Sequence, residues 1–204
     1  EFLSRMAHDI RTPMNAIQGF TTIAKASLND VQKVEECLQK IEISSHYLRE
    51  LADNILDLTH IESGQMKAAH QEMQLTSFFA ELCLLVDGIC IGRSLRFEKC
   101  LHDIRYERIV ADPVLLRQIM VNLFSNAVKY NRPGGCVDTS AREIFSDGTT
   151  VFYEFQITDS GIGMSESFVK AQLFQPFTQE KTDGGKVPYQ GSGLGMSIVK
   201  GLLE

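Results

Sequence analysis

The chain opens, at residues 3–24, with the stretch LSRMAHDIRTPMNAIQGFTTIA. Its apolar residues recur three and four positions apart, the spacing that places side chains on one face of an α-helix. The residues of this stripe are Leu3, Met6, Ile10, Pro13, Ile17, Phe20 and Ala24. In a heptad register His8 falls on the opposite face, so the pattern predicts a helix that presents a histidine to solvent.

A second helix with the same period follows a break at residues 27–30, which read SLND. Gly64 predicts where this second helix ends. Two antiparallel helices cannot enclose both of their apolar faces, so we expect a four-helix bundle made by dimerisation. A partner surface from the rest of the chain is the alternative. The second stripe consists of Val34, Leu38, Ile41, Ser45, Leu48, Leu51, Ala52, Ile55, Leu58 and Thr59.

The chain is predicted to contain two domains. Residues 1–63 form the helical hairpin, the polar residues 64–74 a linker, and residues 75–204 a second domain. Helices and strands that do not alternate strictly predict an α+β sandwich for that domain. We expect helices at 75–91 and 113–130 and a short helix after Ser165, with strands at 95–101, 136–145 and 150–158. Asp112 is well placed to cap the helix at 113–130.

Composition excludes several classes of protein. The net charge of −6 argues against a binder of nucleic acid or anionic membranes, which would carry a basic patch. The five cysteines are scattered without a C-x-x-C pair, which favours reduced thiols in a cytoplasmic protein. The most apolar run, residues 78–92, includes Glu81 and Asp87 and is shorter than a typical bilayer span.

The ends of the sequence predict a piece of a longer protein. The chain begins without methionine and stops inside a helical pattern. No signal peptide is present in these residues. We therefore expect any membrane attachment to come from parts outside this chain.

His8 is the first candidate for chemistry. A histidine has a pKa of roughly 6.5, so its neutral, nucleophilic form is available at cellular pH. Asp9 follows it directly and can hold the proton of one ring nitrogen, which leaves the other nitrogen free to attack. The pair predicts a phosphoryl acceptor.

A polar helix face forms the second candidate. Asn122, Asn126 and Lys129 are spaced i, i+4 and i+7, so they share one face of the helix predicted at 113–130. Amide oxygens are hard ligands suited to Mg²⁺, and lysine meets phosphate as a point charge. The trio predicts a site for magnesium and phosphate, against the alternative of a polar surface.

Two glycine clusters complete the candidates. Asp159 ends a predicted strand and is followed by Gly161 and Gly163, so a carboxylate lies where backbone can approach a ligand. Residues 191–195, which read GSGLG, open a helix whose free N–H groups favour phosphate. A Rossmann site is the alternative for this second cluster, but no parallel βαβ unit and no ribose-binding acid follow it, and the P-loop pattern is absent.

Together these motifs resemble those of sensor histidine kinases of two-component signalling. HDIRTP at residues 8–13 is similar to the family's H-box, and NLFSNAVKY at 122–130 to its N-box. DSGIG at 159–163 and GSGLG at 191–195 are similar to its two glycine boxes, and FQPF at 174–177 to its F-box. The resemblance implies a dimerising phosphoacceptor hairpin joined to a Bergerat-type (GHKL) ATP-binding domain.

The resemblance also implies roles for single residues. His8 would be phosphorylated, Asp9 would be the activating base, and Thr12 would help to position water for dephosphorylating a partner. Asn126 would bind Mg²⁺ with support from Asn122. The implied ATP-binding residues are Asn122, Asn126, Lys129, Tyr130, Asp159, Gly161, Gly163, Phe174, Phe177, Gly191, Gly193, Leu194 and Gly195.

Within that set, Lys129 would contact phosphate, Tyr130 would border the base and Asp159 would bind the adenine amine. The glycines of residues 191–195 would shape a lid over the phosphates, closed in part by Phe174 and Phe177. From composition, residues 177–195 are expected to be mobile.

Asn122 separates two chemistries. ATPases of the wider superfamily carry a glutamate there that activates water, and an amide cannot accept that proton. The resemblance therefore implies autophosphorylation of His8 by ATP and Mg²⁺, then relay to an aspartate on the receiver domain of a response regulator. The alternatives are a dimeric scaffold that binds nucleotide without transferring phosphate, and an ATP-hydrolysing conformational machine.

Overall fold

The computed structural model of the protein describes residues 2–64, 66, 68–180 and 191–204. Two compact units are present. The first comprises the described residues within Glu1–Gln65 and Ala171–Gly201, and the second those within Met66–Lys170 and Leu202–Glu204. Of the predicted lid, residues 181–190 lie outside the described residues, as do residues 65 and 67 of the predicted linker.

The first unit is built on a helical hairpin of α1 (Phe2–Ala26) and α2 (Val31–Glu62), as the two apolar stripes predicted. Asp30 caps α2, because its side chain accepts a hydrogen bond from the backbone N–H of Lys33 at 3.1 Å. After α2, Gly64 adopts a φ of +64°, a left-handed conformation that glycine tolerates best.

Among the described residues, only part of the hairpin's apolar surface is covered. Cys37, Leu51 and Leu58 are buried on α2. By contrast, Leu3 and Leu38, both members of the predicted stripes, remain 70% and 57% exposed. The hairpin therefore keeps an apolar surface that the described part of the chain does not cover.

The second unit holds a mixed sheet with helices against it. The elements after the hairpin are β1 (Gln71–Gln74), α3 (Leu75–Gly92), β2 (Arg96–His102), β3 (Arg108–Ala111), α4 (Pro113–Lys129), β4 (Cys136–Ser146), β5 (Val151–Asp159), α5 (Glu166–Ala171) and α6 (Gly195–Leu203). In the three-stranded sheet β4 is central, parallel to β2 and antiparallel to β5, while β1 and β3 form a separate antiparallel pair.

The core of the second unit joins α3 and α4 to the sheet. Phe97 on β2 packs edge-on against Phe124 on α4, with ring centroids 6.2 Å apart. This arrangement confirms the predicted α+β class. The buried cluster contains Phe78, Leu82, Val86, Cys90, Leu95, Met120, Phe124, Ala127, Val128 and Val137.

Helix α3 has the length and composition of a membrane-crossing helix, contrary to the prediction that its apolar run is too short. It spans 18 residues. Its buried residues, which include Phe78, Leu82 and Cys90, pack into the core just described. Such packing is typical of the core helix of a globular domain.

The predicted linker through residue 74 contains a strand that the sequence did not reveal. Gln71–Gln74 pairs with Arg108–Ala111, a second strand absent from the prediction. Each strand has only four residues, too few for a period of two to stand out. The domain boundaries themselves remain a prediction.

Candidate functional site

His8 lies on α1 with 77% of its side chain exposed, as the heptad register predicted. Its Nδ1 lies 3.1 Å from Oδ1 of Asp9, whose side chain is 31% exposed. In the Nδ1–H tautomer the ring donates to this carboxylate, which leaves the lone pair of Nε2 free. The arrangement provides an exposed nucleophile with an anchored ring.

Thr12 lies one turn after His8. Its hydroxyl donates to the carbonyl oxygen of His8 at 3.2 Å, within the same helix. The hydroxyl oxygen keeps its lone pairs as acceptors for a water molecule. Its predicted role in positioning water remains a prediction.

The polar face of α4 forms as predicted. The helix begins at Pro113, and Oδ1 of its N-cap Asp112 accepts from the backbone N–H groups of Val114 and Leu115 at 2.9 and 3.0 Å. Asn122 donates through Nδ2 to the carbonyl of Gln118 at 3.0 Å, so its amide nitrogen is held by the helix. The Oδ1 acceptor is the end of that amide left for a ligand.

Lys129 and Tyr130 lie at the end of α4. The Lys129 ammonium lies 5.1 Å from the centroid of the Tyr130 ring, within the range of a cation–π contact. Burial raises the pKa of the Tyr130 hydroxyl, so the phenol stays neutral at cellular pH. The half-buried ring and the cation together border the polar face.

Asp159 ends β5, and its Oδ1 accepts from the backbone N–H of Gly161 at 2.8 Å. A Cβ at position 161 would lie 2.5 Å from that oxygen and 2.5 Å from the carbonyl oxygen of Tyr130. The loop closes onto α4 because Ile162 donates to the same Tyr130 carbonyl at 3.1 Å. Glycine is therefore required at 161 to bring the carboxylate beside the end of α4.

A buried polar network that sequence reasoning missed fixes this geometry. Asn131 is 5% exposed, and its Nδ2 donates to the carbonyl of Cys136 at 2.8 Å. Its Oδ1 accepts from the Ser160 hydroxyl at 3.0 Å. The network joins the end of α4 to the start of β4 and the end of β5. A Cβ at position 135 would lie 2.2 Å from Asn131 Oδ1, so only glycine fits beside the network. Gly135 is therefore the residue in the sequence that could have indicated this close packing.

The second glycine cluster lies in the first unit. Gly193 has a φ of +67°, and a Cβ there would lie 2.9 Å from the carbonyl oxygen of Thr178. The carbonyl of Gly193 accepts from the backbone N–H of Phe177 at 3.0 Å, and Gln179 donates to the carbonyl of Gly191. Leu194 is fully buried at the start of α6. Glycine at 193 thus permits close backbone packing.

The two predicted phenylalanines differ in exposure. Phe174 is 43% exposed, whereas Phe177 is half-buried with a φ of +59°, a rare conformation for a side chain of this kind. The hydrogen bond to Gly193 holds that conformation in place. Phe177 is thus tied to the glycine cluster.

The predicted residues fall into three groups. The first unit holds the acceptor group on α1 and, separately, the second glycine cluster with its phenylalanines. The second unit brings together the polar face of α4 and the loop after β5. The residue roles themselves remain predictions.

Two sequence families match the chain. The family described as His Kinase A (phospho-acceptor) domain matches residues 1–64, which include His8. The family described as histidine kinase-, DNA gyrase B- and HSP90-like ATPase matches residues 111–204, which include the α4 face and both glycine clusters.

The chain is similar to parts of longer proteins. The sensory/regulatory protein RpfC of Xanthomonas campestris pv. campestris is 31% identical over 203 residues, which cover 100% of this chain and 28% of RpfC. The autoinducer 2 sensor kinase/phosphatase LuxQ of Vibrio vulnificus is 35% identical over 207 residues, with 100% and 24% covered. The chain spans about a quarter of the length of these relatives.

Solved structures share the fold. Histidine kinase ThkA, solved in complex with the response regulator protein TrrA, matches with a TM-score of 0.66 and 22% identity, covering 88% of this chain and 50% of that chain. With a phospho-acceptor domain at one end and an ATPase domain at the other, the chain belongs to the histidine kinase family.

Proposed function

We propose that this chain is the catalytic core of a sensor histidine kinase that transfers the γ-phosphoryl group of ATP to His8. The observation that carries the proposal is the exposed His8 ring, anchored through Nδ1 by Asp9 at 3.1 Å. An exposed ring can enter a nucleotide site, and a held Nδ1–H leaves Nε2 as the nucleophile.

His8 and Asp9, together called the acceptor pair, account for the bonds and charges that change on the protein during transfer. The Nε2 lone pair of His8 forms the N–P bond as the bond between the γ-phosphorus and the bridging oxygen breaks, and ADP leaves with those electrons. The imidazole becomes cationic while it keeps the proton on Nδ1. The Asp9 carboxylate stabilises that charge, because it already accepts from Nδ1.

The residues of the second unit supply recognition of ATP. The Asp159 carboxylate would accept from the adenine amine, and Lys129 would meet phosphate as a point charge. Asn126, with Asn122, would hold Mg²⁺ through amide oxygens, a donor type that suits this ion. When bound, Mg²⁺ neutralises charge on the phosphates. The Asn122 orientation, with Nδ2 bonded to Gln118, supports this assignment.

Gly191, Gly193, Leu194 and Gly195 would contact phosphate through backbone N–H groups at the start of α6. Free N–H groups at a helix N-terminus favour phosphate. The match of one ATPase family across residues 111–204 supports a common role for these glycines and the α4 face.

The phosphoryl group would pass next to an aspartate on the receiver domain of a response regulator. ThkA, which shares the fold, was solved in complex with such a regulator. The name of LuxQ includes phosphatase activity, and the placement of Thr12 one turn from His8 supports a second reaction, in which Thr12 positions a water molecule that hydrolyses the phosphoryl group of the regulator.

A homodimer would complete the hairpin as a four-helix bundle. The exposed apolar residues Leu3 and Leu38 of the predicted stripes support this assembly, because burying them on a second copy would be favourable. The chain would act in the cytoplasm, with any membrane attachment supplied by other parts of the protein.

The experiment that tests the proposal is incubation with γ-labelled ATP and Mg²⁺, beside His8→Gln. Label that is lost in acid, kept in alkali and absent from the variant is the expected result. Label retained by His8→Gln, or steady ATP hydrolysis without any labelled protein, would overturn it.

A further inference from the structure

A cavity of about 230 Å³ lies between α1 and α2, and its lining on α1 begins at Thr12, one turn after His8. Thr12, Pro13 and Phe20 line it from α1, and Lys40, Ser44 and Tyr47 from α2. The Lys40 ammonium lies 5.0 Å from the centroid of the Phe20 ring, so these two residues lie together at one end. Because the helices are antiparallel, Tyr47 lies at the opposite end, near Thr12 and Pro13.

Of the two residues His8 and Asp9, Asp9 lies on the face of α1 that lines the cavity. It precedes Thr12 and Pro13 by three and four residues, so it shares their helix face and lies one turn closer to the end where Tyr47 stands. Its side chain is 31% exposed, against 77% for His8. The carboxylate thus faces the hairpin while the imidazole faces solvent.

The pKa of Tyr47 is consistent with a position close to Asp9. Burial raises the pKa of its hydroxyl to about 12, with smaller contributions from the charges of Asp9 on α1 and Glu50 on α2. The phenol is therefore protonated throughout the physiological range and can act only as a neutral hydrogen-bonding group. Of the described hydroxyls lining the cavity, those of Thr12 and Ser44 already donate to carbonyls of their own helices.

We propose that Tyr47 is a positioning residue for the acceptor pair: its hydroxyl donates to the Asp9 carboxylate while His8 reacts. The His8 Nδ1–H occupies one carboxylate oxygen, Oδ1, and the phenol holds the carboxylate from the cavity side. Held on both sides, Asp9 cannot rotate away from the ring. The Nδ1–H tautomer is then favoured, and Nε2 stays free. This inference rests on the proposed function of His8.

The kinetic test compares Tyr47→Phe with the parent chain. Phenylalanine keeps the ring in the cavity and removes only the hydroxyl. We expect an autophosphorylation rate at saturating ATP about tenfold lower, since a hydrogen bond to a charged group is lost. The KM for ATP should not change. Ser44→Ala, which removes another hydroxyl from the same cavity, is the matched control and should keep the parent rate.

A double-variant comparison separates positioning from structural support. In an Asp9→Asn background, Tyr47→Phe should cause no further loss of rate, because the charge that it holds is gone. An equal loss in both backgrounds would overturn the proposal.

A readout without ATP keeps this inference distinct from the proposed function. In ¹⁵N NMR spectra of the unphosphorylated chain, with the His8 signals identified through His8→Gln, Tyr47→Phe should lower the fraction of the Nδ1–H tautomer. An unchanged fraction would overturn the role of Tyr47, even if His8 is phosphorylated. A chain that is never phosphorylated but shows the tautomer shift would overturn the kinase assignment alone.

Discussion

The Oδ2 oxygen of Asp112 accepts a hydrogen bond from the backbone N–H of Ala69 at 2.7 Å. The other oxygen of the same carboxylate caps α4 through Val114 and Leu115. One side chain thus joins the segment before β1 to the start of the helix that carries Asn122 and Asn126. A displacement of that segment would therefore be transmitted to the start of α4.

Replacing Asp112 with alanine should lower the melting temperature at neutral pH, because three backbone N–H groups lose their acceptor. The backbone N–H of Leu115, followed by those of Ala69 and Val114, holds the pKa of Asp112 below its usual value. Its stabilising effect is therefore complete above the unfolded-state pKa of about 3.9 and is lost as the pH falls through the lower folded-state value.

Thermal melts of the parent and Asp112→Ala across pH 2–7 check this relationship. The two melting temperatures should differ most at pH 7 and converge in acid. Asp53→Ala, which removes an exposed carboxylate from α2, serves as control and should show no such convergence. A gap for Asp112→Ala that stays constant down to pH 2 would contradict the account.

Gly161→Ala should weaken nucleotide binding about tenfold or more, because the new Cβ would lie 2.5 Å from both Asp159 Oδ1 and the Tyr130 carbonyl oxygen. The loop and the Asp159 carboxylate, which is proposed to bind adenine, must then move apart from α4. Calorimetric titration with a non-hydrolysable ATP analogue measures the effect. Gly88→Ala meets nothing within 4 Å on α3 and should bind as the parent does. Equal affinities of Gly161→Ala and Gly88→Ala for the analogue would contradict the proposed role of Asp159 in binding nucleotide.

Much of the fold could be predicted because its elements carry strong local signals. The two helices of the hairpin, α3 and α4 each show a long apolar period, and the turn at Asp147 separates two alternating strands. Strands β1 and β3 escaped prediction, since each has only four residues and their pairing joins segments more than thirty residues apart.

The sequence predicted which residues form the candidate site, but not the hydrogen bonds and packing that hold those residues in place. His8, Asn126 and Asp159 stand within recognisable motifs. Asn131 lies outside these motifs, and Ser160, although it is part of DSGIG, was given no role. The hydrogen bonds of both residues depend on three chain segments that meet only after folding. Tyr47 likewise occupies a helical position without a motif, and only the packing of α2 on α1 brings it to the cavity beside the acceptor pair.

Asn126→Ala should reduce affinity for the ATP analogue in the presence of Mg²⁺ roughly tenfold or more, and change it far less in EDTA, because its amide oxygen is proposed to bind the ion. The same titration, run with and without Mg²⁺, measures both values. Ser125→Ala alters the neighbouring exposed position of α4 and should leave both affinities unchanged. A loss of affinity of equal size in EDTA would show that Asn126 supports the fold of the site and does not act through the metal.

The most direct test of the central claim is to locate the phosphoryl group on the protein after reaction with ATP and Mg²⁺. Because Asp9 holds Nδ1 of His8 at 3.1 Å, the account predicts one modified residue, His8, phosphorylated on Nε2. Mass spectrometry under alkaline conditions, together with ³¹P NMR of the intact chain, identifies both the residue and the nitrogen. Phosphate on Nδ1, or on any other residue, would contradict it.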